Sequence, residues 1–273
     1  MDELTLKIKA DDKFLKKIND FIGEIESAHR GIDDDRFMMR YQVYASRNAT
    51  PSAVFSSLYA AFLADDKFNL LVGVNLVGPE NGLVALADYN LHMQMISYLR
   101  DKFPNVNVAL HAGELTLGMV PPKDLKFHIS QAIHIARVQR IGHGVDLPYE
   151  EGALELLQKI KEKSVVEINL TSNEFILGVK DNEHPYLIYS AYDIPLVIST
   201  DDSGVSRNNL SGEYVLLAKR YKPGYKTVKK YVFNSIKHSF LSQNEKVLLT
   251  NSLDARFAKF EAEMARYYDL LQE

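Results

Sequence analysis

Cysteine is absent from all 273 residues. That excludes disulfide scaffolds, thiol nucleophiles, iron–sulfur clusters, zinc fingers and every cysteine-ligated zinc site. Any metal must therefore be held by His, Asp or Glu. Long apolar runs are also missing: none approaches the ~18 residues a membrane helix needs, so no membrane partner is expected. Nor is there an excess of one charge. The 32 basic and 36 acidic residues leave a net charge of −4, which gives no electrostatic footprint for nucleic acid or an anionic surface. The N-terminus, MDELTLKIKADDKFLKKIND, has no basic segment followed by an apolar one, so no signal peptide is readable and the compartment stays open.

Low-complexity tracts, short repeats and Pro/Gly/Ser-rich linkers are absent as well, and the chain reads as one domain over 1–273. Its first 36 residues form a helical lead-in, 37–204 hold six strand–helix units, and 205–273 are C-terminal helices. The β-rich runs are Phe37–Ser46, Leu70–Gly78, Val106–Gly113, Val138–Gly144, Val165–Thr171 and Pro195–Thr200. Several are nearly continuous apolar stretches, the pattern of parallel strands buried on both faces. Between them, Pro51–Ala64, Leu83–Lys102, Lys123–Arg137 and Tyr149–Lys163 carry apolar residues at helical spacing. This alternation predicts an α/β fold with right-handed crossovers. Asp12–Ala28 reads as a helix followed by a Gly31–Asp35 turn, and Thr227 to Glu273 as wholly helical. The alternation Leu4, Leu6, Ile8 admits an extra strand as a less favoured reading.

What ends each strand is the informative feature. One run leads into His111-Ala-Gly-Glu114, another into Gly142-His143-Gly144, a third into Ser199-Thr200-Asp201-Asp202, and a fourth into Gly78-Pro-Glu80. The carboxyl ends of parallel strands converge on one face, where ligands bind. His111, Glu114, His143, Asp201 and Asp202 should therefore meet although about 90 residues of chain separate the first from the last. Two imidazoles and three carboxyl groups suit a zinc site with acid–base groups to spare. Singly each feature has a plainer explanation. A lone strand-end histidine is usually structural, and an Asp-Asp pair commonly caps a helix. It is the joint pattern that points to catalysis.

These motifs carry a family resemblance. LHAGE at Leu110–Glu114, RIGHG at Arg140–Gly144 and STDD at Ser199–Asp202 resemble the adenosine/AMP deaminase family of metal-dependent hydrolases. VNLVGPEN at Val74–Asn81 resembles that family's substrate-glycine strand. NLTSNEFIL at Asn169–Leu177 and FNSIKHSFL at Phe233–Leu241 are closest to its adenosine deaminase-related growth factor branch. The resemblance implies a TIM-type (β/α)8 barrel and zinc-dependent hydrolytic deamination of a 6-aminopurine nucleoside. It further implies that His111 and Asp201 ligate zinc and that Glu114 donates a proton to purine N1. His143 would orient or deprotonate the attacking water. Asp202 would hydrogen-bond the purine and the attacking oxygen, and Gly78 would contact the purine through its backbone.

The family also takes two zinc ligands from a His-X-His motif on its first strand. Here the eight histidines are His29, His92, His111, His128, His134, His143, His184 and His238, and no two stand two apart. Six strands against the barrel's eight gives the same deficit. The expectation is a barrel lacking its first two strands, with exposed edges that favour association. That would make the chain a piece of a longer deaminase, a truncation completed by a second polypeptide, or a decayed purine-binding or signalling paralogue. His92, His128, His134 and His238 read as helix members, His184 as a cap, and His29 as a helix end. Tyr41, Tyr44 and Arg47 are second-rank candidates for a ribose pocket, and Arg207 is the one cation placed near a strand end for a phosphate.

Overall fold

The computed structural model describes residues 1–34 and 37–271, so the end of the Gly31–Asp35 turn and the last two residues of the C-terminal tail lie outside the described residues. Six strands follow one another: β1 (Tyr41–Ser46), β2 (Leu71–Val77), β3 (Ala109–Ala112), β4 (Arg140–His143), β5 (Val165–Ile168) and β6 (Leu196–Ile198). Each lies parallel to its chain neighbour. β1 pairs with β2, and β3 to β6 pair in sequence order. A single parallel bridge between Val74 and Val108 joins the two groups, with Val74 N donating to Asn107 O at 2.9 Å. This is the wall of an α/β barrel read in chain order. Among the described residues no pairing joins β6 back to β1.

Strands β5 and β6 are largely apolar because both of their faces are covered, whereas β1 leaves Gln42, Tyr44 and Ser46 exposed. Leu196, Val197 and Ile198 are all buried, as are Val165, Val166 and Ile168. Helices supply the cover. Pro51–Lys67 starts on a proline, which suits a first helical turn. It buries Phe55, Leu58, Tyr59 and Phe62 along one stripe. No helix among the described residues is long and apolar enough to cross a membrane.

The less favoured strand reading and three helical expectations are corrected in detail. The Leu4–Ile8 alternation lies in a helix, Asp2–Lys9, whose buried residues are Thr5 and Ile8, three apart and not two. The predicted Leu83–Lys102 helix divides at Asp88 into Leu83–Ala87 and Tyr89–Lys102. The break turns Tyr89 inward, where its ring stacks on His128 at 3.8 Å and its hydroxyl donates to His128 O at 2.9 Å. Lys123–Arg137 shortens to a 3-10 turn and a helix over His128–His134, because Glu150 accepts from Ile129 N and caps a new N-terminus there. The tail is interrupted before Ser242, which with Glu245 forms a capping box that starts Gln243–Leu270.

Candidate active site

Backbone turns at the strand ends aim the polar residues. β3 ends at Ala112, and Gly113 follows with φ +77°. A Cβ there would stand 2.2 Å from Asp146 Oδ1, so only glycine fits. His143 closes β4 at φ +71° and Asp201 follows β6 at φ +52°. Left-handed backbone is uncommon for non-glycine residues, and these two share it with Arg137, Asp181, Asp193, Arg207 and Lys222.

The result is a tight cluster. One donor atom each from His111, His143 and Asp201 lies within 4.8 Å of the others. His111 Nε2 is 3.8 Å from Asp201 Oδ1, and His143 Nε2 is 3.9 Å from Asp201 Oδ2. Glu114 Oε1 stands 3.7 Å from His143 Nδ1. Asp202 and Gly78, with φ +97°, line the same cavity of about 500 Å³ as His111, Glu114 and Asp201. Asp202 precedes the short helix Ser203–Ser206, yet its side chain makes no capping hydrogen bond. The six residues singled out in the sequence thus sit at one place.

Burial sets their protonation. Burial raises Glu114 to about 8, helped by the negative charges of Glu80 and Asp201, so the carboxyl keeps its proton at neutral pH. Burial, with His111 beside it, lowers His143 to about 3. His111 is lowered by burial and then by Arg47. Both rings are therefore neutral.

These residues fit a metal ion. His143 Nε2 is buried with no hydrogen-bond partner among the described residues. His111 Nδ1 meets Asn75 Oδ1 at 3.2 Å, and a proton donated there leaves the Nε2 lone pair facing Asp201. Two imidazoles and a carboxylate are nitrogen and oxygen donors of the kind zinc accepts. The proton on the His143 ring decides whether it joins the donors or stands beside them.

Beneath the cluster lies a buried layer that sequence reasoning missed. Arg47, expected at a ribose pocket, is fully buried and donates to Leu76 O at 2.8 Å and His111 O at 2.6 Å. Tyr44 does line the cavity, but the Tyr41 hydroxyl meets His29 Nδ1 at 3.3 Å. Glu80 accepts from Gly113 N at 3.0 Å, Glu114 N at 2.9 Å and His128 Nδ1 at 2.5 Å. Burial alone would raise its carboxyl, but Arg47 and His128 hold it at about 2. Behind His143, Asn169 and Asn173 bring their amides to its Nδ1. The two asparagines are four residues apart at a helix start, the spacing that places side chains on one face.

A profile of the family described as adenosine deaminase matches residues 14–256. Adenosine deaminase of Clostridium perfringens is 34% identical over 148 residues, covering 54% of this chain and 41% of that protein. Adenosine deaminase 2 of Dictyostelium discoideum is 25% identical over 265 residues, covering 94% of this chain and 46% of that protein. The chain thus spans less than half the length of these curated relatives. Among solved structures, Arabidopsis N6-mAMP deaminase superimposes with a TM-score of 0.66 at 24% identity, covering 86% of this chain and 65% of that one. A zinc-bound amidohydrolase from Burkholderia ambifaria gives 0.66 at 17% identity, covering 88% and 62%. The likeness to these structures shows the fold, that of an α/β barrel protein. Within that class, the chain belongs to the adenosine deaminase family.

Proposed function

We propose that this chain carries the centre of a zinc-dependent deaminase that hydrolyses adenosine, or a related 6-aminopurine nucleoside, to inosine and ammonia. The observation that supports it is the convergence of His111, His143, Asp201 and Glu114 within contact distances at the strand ends.

In this reading His111 and Asp201 hold the zinc. A zinc ion held there would supply a nucleophile at neutral pH, since it lowers the pKa of bound water from ~15.7 to about 7. Attack at C6 pushes electrons onto purine N1, and Glu114, which keeps its proton up to about 8, delivers a proton there. Asp202 hydrogen-bonds the purine from the same cavity wall, and the backbone at Gly78 passes close to the ring. His143 orients or deprotonates the attacking water.

The cavity also bears on the sugar side. Glu80, Glu114, Asp201 and Asp202 line it, and no lysine or arginine does among the described residues. A 5′-phosphate would meet carboxylates without a cation, which favours an uncharged nucleoside over a nucleotide. Arg207 is not in the lining.

The test is conversion of adenosine to inosine by the purified chain with zinc supplied, beside Glu114→Gln. Turnover is expected, with the variant lower by about 10²–10⁴-fold, the usual contribution of a positioned acid. Turnover unaffected by the substitution would remove Glu114 from the reaction.

A further inference from the structure

Eight histidines share a spectrum of possible protonation states, but the surroundings of His184 leave that ring no choice. It is buried, and its Nδ1 accepts a hydrogen bond from Tyr186 N at 3.1 Å. A backbone N–H can only donate, so Nδ1 carries the lone pair and the proton sits on Nε2. That proton is donated to Asn173 Oδ1 at 3.0 Å. The Asn173 amide is thereby fixed in orientation, since turning it over would set an N–H against an N–H. Its other end, Nδ2, lies 2.8 Å from His143 Nδ1 and must donate to it. A second amide nitrogen, Asn169 Nδ2, approaches the same atom at 3.3 Å, while Glu114 Oε1 at 3.7 Å is beyond hydrogen-bond reach.

His143 Nδ1 is therefore an acceptor. The ring then carries its single proton on Nε2, and the doubly protonated form is shut out by the same bond. Nε2 is the atom that is buried without a partner among the described residues, 3.9 Å from Asp201 Oδ2 and beside His111. The two rings are set oppositely by their amide neighbours. His111 donates from Nδ1 to Asn75 and offers a lone pair at Nε2, whereas His143 accepts at Nδ1 and offers a proton.

We propose that Asn173 and His184 are positioning residues that lock His143 in its Nε2–H form, so that it meets the reacting oxygen as a hydrogen-bond donor and is neither a metal ligand nor the first base. The protonation state stands on geometry alone; the words "reacting oxygen" rest on the deaminase reading.

Long-range proton–nitrogen spectra of ¹⁵N-histidine-labelled chain decide it, recorded metal-free and after addition of Zn²⁺. The expected result is a His143 ring protonated on Nε2 in both samples. Asn173→Asp presents a carboxylate oxygen to each ring, still accepting from His184 but now requiring a proton on His143 Nδ1. That variant should move the proton and lower kcat for adenosine on the order of 10²-fold while KM changes less than about 2-fold, the loss expected when a positioned proton-handling group is mis-set. Protonation on Nδ1 in the unsubstituted chain overturns the proposal, as does loss of the Nε2 proton when zinc is added, so the test stands even if Asn173→Asp does not fold. A folded Asn173→Asp that leaves His143 unchanged overturns it too. Its failure is separable from that of the deaminase reading. Nε2–H without adenosine turnover removes the reaction and keeps the relay; turnover with Nδ1–H does the reverse.

Discussion

Arg47 Nη2 lies 2.6 Å from the main-chain oxygen of His111, and the arginine that makes this contact has no exposure to solvent. A buried guanidinium is costly unless paired, and here it stands over the Glu80 carboxylate, Nη1 to Oε2 at 3.7 Å. Glu80 in turn holds the backbone N–H groups of Gly113 and Glu114. One charge pair thus grips β3 and its following turn, placing His111 and the proposed acid Glu114 at once.

Removing one partner of such a pair leaves the other charge uncompensated. Arg47→Ala should lower the free energy of unfolding by about 3–5 kcal/mol, the range for broken buried pairs. Urea denaturation measures it. Arg47→Met combined with Glu80→Gln should recover part of the loss, because the stranded charge is then gone. A loss below about 1 kcal/mol for Arg47→Ala would show that the pair contributes nothing net.

Much of this arrangement was legible in the sequence, for a physical reason. Strands buried on both faces must be apolar along their length, so runs such as Val165–Ile168 and Leu196–Ile198 stand out, and the residues that end them are marked by the change to polar type. His111, His143 and Asp201 were found that way. The supporting layer leaves a fainter trace. Glu80 ends a strand in Gly78-Pro-Glu80 with no sign of its burial, His128 reads as an ordinary helix member, and Asn173 stands only within the NLTSNEFIL stretch of the family resemblance. Nothing local says that a carboxylate is buried among Arg47, His128 and two backbone amides. That follows only from packing β2 against β3. The helix break at Asp88 is likewise decided from outside the segment, by the seat for Tyr89 against His128.

The metal reading has a consequence for stability. An ion bound only by the folded chain stabilises it by RT ln(1 + [L]/Kd), about 2.7 kcal/mol at a hundred times Kd. Zinc should therefore raise the unfolding midpoint of the chain, and a chelator should reverse the shift. His111→Ala and Asp201→Asn should each abolish it, since each removes an atom from a group confined within 4.8 Å. Thermal melts with and without zinc, paired with zinc content per chain, supply the check. A zinc-induced shift that survives both substitutions would place the ion elsewhere.

Asp65 allows a test of electrostatics far from the site. Burial near the end of the Pro51–Lys67 helix, with Asp66 adjacent, raises its carboxyl from 3.8 to about 7, and Oδ2 has no hydrogen-bond partner among the described residues. The folded chain thus holds a proton that the unfolded chain releases. Between about pH 4 and pH 7 the folded state binds more protons, so each step up in pH costs stability, and the cost is complete above pH 7. Below the unfolded value both states are protonated and the penalty vanishes. Asp65→Asn removes the titration while keeping the shape. It should leave stability unchanged near the acid end and raise it by about 1 kcal/mol near pH 8, a figure discounted for the solvent that still reaches this side chain. Denaturant unfolding of both proteins at the two pH values gives the comparison. A gain of equal size at both ends would mean that the substitution acts through packing or helix propensity, and that the Asp65 carboxyl titrates alike in the folded and unfolded chains.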